Sequence, residues 1–111
     1  MIPTVKITCT AFGQKGEVLV GARFEAVLDR LEIYNGFVVP EKIYGYTDEN
    51  GVCVLEVWPN ALGANGSGYT IKGWDVVSGR LFLDSRMVVP NSDCILEQIL
   101  VAEPFPPVSV S

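Results

Sequence analysis

A two-residue alternation of apolar and polar side chains constrains the fold of this chain more than any other feature. Between residues 4 and 12, Val5, Ile7, Cys9 and Ala11 alternate with polar neighbours. A period of two is typical of a strand with one buried and one exposed face. Residues 18–28 repeat the pattern, and a glycine-containing turn separates the two runs, which together predict an antiparallel hairpin.

Turn-forming residues divide most of the remaining chain into short apolar runs. Aspartate at the start and glycine at the end of the sequence from Asp48 to Gly51 are typical of a tight turn. Residues 29–35 read as a connection, and residues 61–68, rich in Gly, Asn and Ser, as an exposed loop. Further strands are predicted at 37–40, 42–47, 52–58, 69–74, 80–83 and 87–89.

This arrangement predicts an all-β fold, an antiparallel β-sandwich of about seven strands of the Ig-like or transthyretin-like kind. Leu96, Ile99 and Leu100 have helical spacing, and Ser92 or Asp93 could cap a short C-terminal helical turn. The proline-rich end is typical of extended chain. We therefore predict a sandwich domain over residues 1–101 and an extended Pro-rich tail over residues 102–111.

The sequence argues against an enzyme. It contains no histidine, which removes the commonest general base near neutral pH and every histidine-based triad or metal site. No nucleophile elbow, P-loop or dinucleotide fingerprint is present. Four aspartates in or beside predicted turns are expected to accept hydrogen bonds from backbone N–H groups: Asp48, Asp75, Asp84 and Asp93. We predict no catalytic residue, no cofactor and no metal.

Charge and hydropathy limit the partners. The formal net charge is −5, so no basic surface is available to neutralise the phosphates of a nucleic acid. No run approaches the roughly 18 apolar residues that cross a bilayer, so no membrane partner is expected. Cys9, Cys53 and Cys94 are an odd, widely spaced set and are predicted to be free thiols, largely buried.

Apolar content is high, with 49% hydrophobic residues and a mean hydropathy of +0.31, which favours a partner that covers part of the surface. Trp58 ends an apolar strand before a proline and is predicted to fill the core or its edge. Tyr44 and Tyr46 share one strand face around a glycine and are expected to be exposed. Together with Trp74 they leave open an alternative, a carbohydrate-binding or adhesion module.

Several segments along most of the chain resemble the β-sandwich domain at the start of tail-fibre and related structural proteins of tailed phages. The most specific match contains the Trp58-Pro59-Asn60 sequence. The matching segments are residues 20–26, 36–41, 47–51, 55–63, 67–69 and 88–96, followed by the Pro-rich end. The turn at residues 47–51 also recurs in transthyretin-like and carboxypeptidase-regulatory-like sandwiches.

The resemblance implies a non-catalytic structural protein of the virion, assembled in the host cytoplasm. It would dock on the capsid, portal or tail, as a head-decoration or cement protein or as a fibre-attachment component, and it would form a homo-oligomer such as a trimer. No fibre shaft follows the tail, which favours a stand-alone virion protein over a fibre fragment. Contacts are expected from the tail, through Phe105, Pro106 and Pro107, and from the aromatic residues Tyr44, Tyr46 and Trp74.

Overall fold

The computed structural model describes residues 2–13, 15–63 and 65–101. It confirms the all-β prediction, with nine strands in the described residues instead of about seven, because three of them are only two residues long. The strands are β1 (Val5–Thr10), β2 (Arg23–Leu28), β3 (Ile33–Tyr34), β4 (Phe37–Val38), β5 (Lys42–Tyr46), β6 (Val52–Val57), β7 (Tyr69–Asp75), β8 (Arg80–Met87) and β9 (Cys94–Ile95). A 3-10 turn at Asn60–Leu62 and a helix, α1 (Leu96–Val101), complete the elements.

Two main sheets and one small hairpin contain these strands. The four-stranded sheet has the order β5-β2-β7-β8 and is antiparallel throughout. The three-stranded sheet has the order β6-β1-β9, in which β9 runs parallel to β1. β3 and β4 pair only with each other. The strands predicted at 69–74 and 80–83 are confirmed as β7 and β8, which pair with each other as an antiparallel hairpin.

The alternating apolar residues of both main sheets meet in one core. Ile7 and Cys9 of β1, Leu55 of β6, and Phe24 and Ala26 of β2 are almost completely buried. Burying one large apolar side chain stabilises a fold by roughly 1.5–3 kcal/mol. This shared core makes the architecture sandwich-like, and it shows that the apolar faces of β1, β2 and β6 point inward.

The predicted hairpin of residues 4–12 and 18–28 is wrong. β1 pairs with β6 and β9, whereas β2 lies in the other sheet between β5 and β7. A single bridge between Phe12 and Val18 is all that remains of the expected pairing. The second strand also begins only at Arg23, five residues later than the alternation suggests.

A buried threonine gives the physical reason for this late start. The Thr47 hydroxyl accepts a hydrogen bond from the Ala22 N–H at 2.8 Å and donates one to the Leu19 carbonyl at 2.6 Å. Between them, Gly21 has a φ of 77°, a conformation that favours glycine. The chain therefore turns at residues 19–22 and enters the second sheet beside β5.

The Trp-Pro-Asn sequence closes one end of the core. Trp58, Pro59 and Asn60 are all buried, which confirms the prediction for Trp58. The Asn60 side chain accepts a hydrogen bond from the Val89 N–H and donates one to the Ser67 carbonyl, both at 2.6 Å. Because these contacts hold Val89, the strand predicted at 87–89 does not form, and Met87 is the last residue of β8.

Two stretches predicted as irregular are more ordered than expected. Residues 29–35 contain β3, and residues 61–68 include the end of the 3-10 turn and the buried Ser67. Glu32, a residue only 2% exposed, joins them: its carboxylate accepts hydrogen bonds from the Ser67 hydroxyl and the Asn65 amide. A side chain that links two loops over 33 to 35 residues leaves no local pattern in the sequence.

The C-terminal helical turn is confirmed as α1, whose Leu96 and Ile99 side chains are buried. The Asp93 carboxylate accepts a hydrogen bond from the Lys6 N–H of β1, which fastens the segment before the helix to the sheet. In the described ranges no helix has the length and apolar character needed to span a membrane. The predicted Pro-rich tail lies outside the described residues.

Candidate binding face

Three of the four aspartates in predicted turns bind backbone N–H groups, as expected. The Asp48 carboxylate accepts hydrogen bonds from the Val52 and Asn50 N–H groups. Both bonds, and the one from Val52 most strongly, lower the pKa of Asp48 below the ordinary value. Asp75 accepts from Val77 and Asp93 from Lys6. These carboxylates fasten turns and strand ends. Asp84 differs, because it lies on the exposed surface of β8.

The cysteines are free thiols, as predicted. Cys9 and Cys53 face each other across β1 and β6 and are buried, while Cys94 is half-buried. Burial is the main cause that raises the pKa of Cys9 to about 12, so this thiol stays neutral near neutral pH. Within residues 2–13, 15–63 and 65–101, no three His, Cys, Asp or Glu side chains are grouped in a way that could hold a metal ion.

The surface that gathers the predicted aromatic residues is the outer face of the four-stranded sheet, the side turned away from the core. Residues that are cross-strand partners in β5, β2, β7 and β8 lie side by side, so the outward side chains form rows across the sheet. The first row is Tyr46, Arg23, Trp74 and Leu81, and the second is Tyr44, Glu25, Lys72 and Asp84. Tyr44, Tyr46 and Trp74, which belong to two separated strands, are thereby brought onto one surface.

Arg23 organises the aromatic end of this outer face. Its guanidinium carbon lies 4.2 Å from the centre of the Tyr44 ring and 5.7 Å from that of Tyr46, within cation–π distance. One guanidinium nitrogen donates a hydrogen bond to the Tyr46 hydroxyl at 2.9 Å. The two tyrosine rings meet edge to face, with centroids 6.2 Å apart. These contacts hold two exposed rings in defined orientations before any partner binds.

Glu25 anchors the guanidinium from the second row. Its carboxylate lies 3.1 Å from Arg23 Nη2 and 3.3 Å from the Lys42 ammonium. Partial burial alone would raise the pKa of Glu25, but the hydrogen bonds from Arg23 and Lys42 lower it below the ordinary value. The carboxylate is therefore ionised at neutral pH, and it fixes the position of Arg23 between the tyrosines.

The outer face combines flat rings with several fixed hydrogen-bond donors. Tyr44 and Tyr46 are more than half exposed and Trp74 is half-buried. Arg23, Lys42 and Lys72 supply basic groups in a chain that is acidic as a whole. Such a surface can pack against apolar or planar groups and donate hydrogen bonds at the same time. It presents no activated nucleophile.

Sequence reasoning identified the three aromatic residues but missed Arg23 as the group that orders them. The alternation of β2 did place Arg23 and Glu25 on the face of the strand opposite to that of Phe24. What it could not supply was the register, Arg23 against Tyr46 on one side and against Trp74 on the other. The other three predicted contact residues, Phe105, Pro106 and Pro107, lie outside the described residues.

No protein-family model matches the sequence, and no curated protein is significantly similar to it. The resemblance to tailed-phage fibre domains therefore stays a prediction from the sequence. The geometry of the outer face is the observation from which a function can be argued.

Proposed function

We propose that this protein is a non-catalytic interaction domain that binds a protein partner through the outer face of its four-stranded sheet. The observation that carries the proposal is the first row, in which Tyr46, Arg23 and Trp74 lie side by side on adjacent strands. Tyr, Trp and Arg are the residue types that most often dominate the binding energy of protein interfaces. A pre-ordered cluster of them loses little side-chain entropy on binding.

Exposed apolar side chains elsewhere support a role in assembly. The hairpin of β3 and β4 carries Ile33, Phe37 and Val38, each at least half exposed, and Leu31 precedes it at 68% exposure. Ile33 and Val38 are cross-strand partners, so their side chains lie together on one side of the hairpin, and exposed apolar clusters often mark interaction sites. Contact with neighbouring proteins would remove this cluster from water.

We propose a tailed-phage particle as the setting, on the basis of the sequence resemblance. The domain would be a virion protein that docks on the capsid, portal or tail, as a decoration or cement protein or as a fibre-attachment component. The outer face would supply the contact with the neighbouring virion protein. Assembly with other copies of itself into a homo-oligomer such as a trimer is part of the same proposal.

Quantitative mass spectrometry of purified particles tests the setting. We expect this chain at a fixed copy number relative to the major capsid protein, in particles washed with high salt. A high copy number would place it on the capsid lattice, and a low one at a vertex, the portal or the tail. Its absence from particles made by cells that express it would contradict the proposal.

A second candidate function is carbohydrate binding, which the shared position of Tyr44, Tyr46 and Trp74 favours. Tyr46 and Trp74 are separated by two strand spacings, roughly 10 Å, across the outer face. Aromatic rings beside fixed donors can stack on sugar rings and bind their hydroxyl groups. A glycan array tests this candidate: Trp74→Ala should abolish any signal, and an array without signal would remove it.

A further inference from the structure

A pocket of about 340 Å³ lies beside the hairpin of β3 and β4 and shares no residue with the two rows of the outer face. Tyr34 of β3 borders this pocket together with Trp58, and the centroids of the two rings are 6.0 Å apart. Leu31, Ile33 and Leu62 add apolar side chains to the wall. The pocket can therefore hold an apolar group in contact with aromatic rings.

Glu32, which also lines this pocket, is a buried acidic residue that no basic side chain of its own chain neutralises. The ion pairs in the part of the chain that the structure describes involve Glu25 and Asp29, and none of them involves Glu32. Arg30, which is close in sequence, donates a hydrogen bond to the Asn65 carbonyl instead. Because buried charges in proteins are normally paired, Glu32 is an unusual feature of this fold.

The hydrogen bonds to the Glu32 carboxylate leave part of it available to a ligand. The Ser67 hydroxyl donates to Oε2, and the Asn65 side-chain amide donates to Oε1 at 3.3 Å. Neither donor carries a charge. A carboxylate has about four positions for hydrogen-bond donors, so these two bonds do not fill it. A cation in the pocket would supply both a further donor and the opposite charge.

Gly63 keeps the space between this carboxylate and the Trp58 indole free of a side chain. A Cβ added at Gly63 would lie 2.5 Å from Glu32 Oε2 and 3.0 Å from Trp58 Cη2. Since Gly63 itself lines the pocket, a group in the pocket can approach the carboxylate and the indole at the same place. A carboxylate beside aromatic rings is a combination that favours a bound ammonium group.

The walls of the pocket favour a lysine side chain of another protein as the occupant. A lysine carries a compact ammonium charge on a flexible aliphatic stem, and such stems pack along apolar surface. Leu31 and Ile33 of the pocket wall are 68% and 59% exposed and belong to the apolar surface around the β3–β4 hairpin. A free small amine would leave this surface in water, whereas a protein that inserts a lysine would cover it.

We propose that this pocket receives a lysine side chain of a protein partner, with the ammonium group bound to Glu32 and the aliphatic stem packed against Tyr34 and Leu62. The contact is a second binding site, separate from the outer face of the four-stranded sheet. Its test uses other residues and other ligands than the tests of the outer face, so either proposal can fail without the other.

NMR titration of the full chain tests the chemistry of the pocket, with n-butylammonium as an analogue of the lysine side chain. The indole N–H of Trp58 and the side-chain amide of Asn65 report on the pocket, and the indole N–H of Trp74 reports on the outer face. At constant ionic strength we expect saturable shifts of the first two signals and none of the third. Neutral n-butanol, which has the same stem, should cause no saturable shift. Equal binding of both ligands, or no saturable shift with n-butylammonium, would overturn the proposal.

Two charge variants test the role of Glu32. Glu32→Gln keeps the size of the side chain but removes the charge, and it should weaken n-butylammonium binding by at least about tenfold. The matched control, Glu49→Gln, removes the same charge from an exposed turn and should bind like the parent. Equal affinities of the two variants would contradict the proposal. If Glu32→Gln does not fold, Tyr34→Leu removes a ring from a half-buried position, and unchanged affinity in that variant would be equally decisive against it.

A blocked tripeptide with a lysine between two glycines tests the source of the ammonium group. It should shift the same pocket signals as n-butylammonium, and the matching peptide with norleucine, which lacks the ammonium group, should not. Binding of n-butylammonium without binding of the lysine peptide would mean that the pocket admits only free amines. That result would overturn the assignment to a protein partner.

Discussion

Asn60 connects three segments through one buried amide, and its role is structural. Replacing it by alanine leaves the Val89 N–H and the Ser67 carbonyl without their partner in a buried environment. Each such orphaned group costs about 1–3 kcal/mol, so Asn60→Ala should lower the free energy of unfolding by about 2–4 kcal/mol. Urea denaturation measures this loss. The exposed Asn91→Ala is the control, and equal stability of both variants would contradict the assignment.

Asp29 makes stability depend on acid pH. Its carboxylate accepts two hydrogen bonds, one from the Gly68 N–H and one from Arg86. These bonds lower the pKa of the carboxyl below the ordinary value, and the bond from Gly68 contributes most. Because the pKa is lower in the folded than in the unfolded state, the stabilisation is complete above the ordinary aspartate pKa of about 3.9 and disappears as the pH falls through the folded-state pKa.

The comparison of Asp29→Asn with the parent protein tests this linkage. The difference in their free energies of unfolding, measured in urea at several pH values, should be largest near neutral pH. It should shrink as the pH falls below about 4. A difference that is constant between neutral pH and pH 2 would show that the Asp29 charge contributes nothing.

At the scale of elements, α1 owes its existence to the sheet on which it packs. A six-residue helix is too short to be stable alone in water. Its buried Ile99 should therefore carry much of the docking energy, and Ile99→Ala should cost about 2–4 kcal/mol. Hydrogen exchange should show faster exchange of the α1 amides in this variant. Exposed Glu97→Ala is the control, and unchanged protection in Ile99→Ala would contradict this view.

Local sequence patterns predicted seven of the nine described strands and most of the turns, because alternation and turn chemistry act over a few residues. Partner choice between strands was not predictable in the same way. β1 and β2 were expected to pair, but Thr47, 25 residues beyond Ala22, determines where β2 begins. The hydrogen bond that the Lys6 N–H donates to the Asp93 carboxylate likewise spans 87 residues. Contacts at these separations leave no periodic signal.

In the candidate site, too, local patterns predicted single residues, whereas their arrangement depends on strand pairing. Exposure of Tyr44 and Tyr46 followed from their position on one strand face, and the structure confirms it. Their approach to Trp74 depends on the order β5-β2-β7, and the placement of Arg23 between them depends on register. Only the three-dimensional structure reveals that these residues form one surface.

At the scale of the whole molecule, the two sheets separate stability from binding. The core lies between them, whereas the first row of the outer face faces solvent. Cross-strand contacts on an exposed face contribute roughly 0.2–1 kcal/mol each. Tyr46→Ala should therefore change the free energy of unfolding by no more than about 1 kcal/mol. A loss of several kcal/mol would mean that the row is part of the folding core and not a binding surface.

The most direct test of the central claim is the incorporation of outer-face variants into particles in competition with the parent protein. Tyr46→Ala and Arg23→Ala alter the proposed contact, and Val54→Ala shortens an exposed side chain on the other sheet as a control. Co-expressed variants are quantified against the parent in purified particles by mass spectrometry. We predict that Tyr46→Ala and Arg23→Ala are depleted by at least about tenfold, the effect of 1.4 kcal/mol, while Val54→Ala is incorporated normally. Equal incorporation of all three variants would contradict the claim that this face binds the partner.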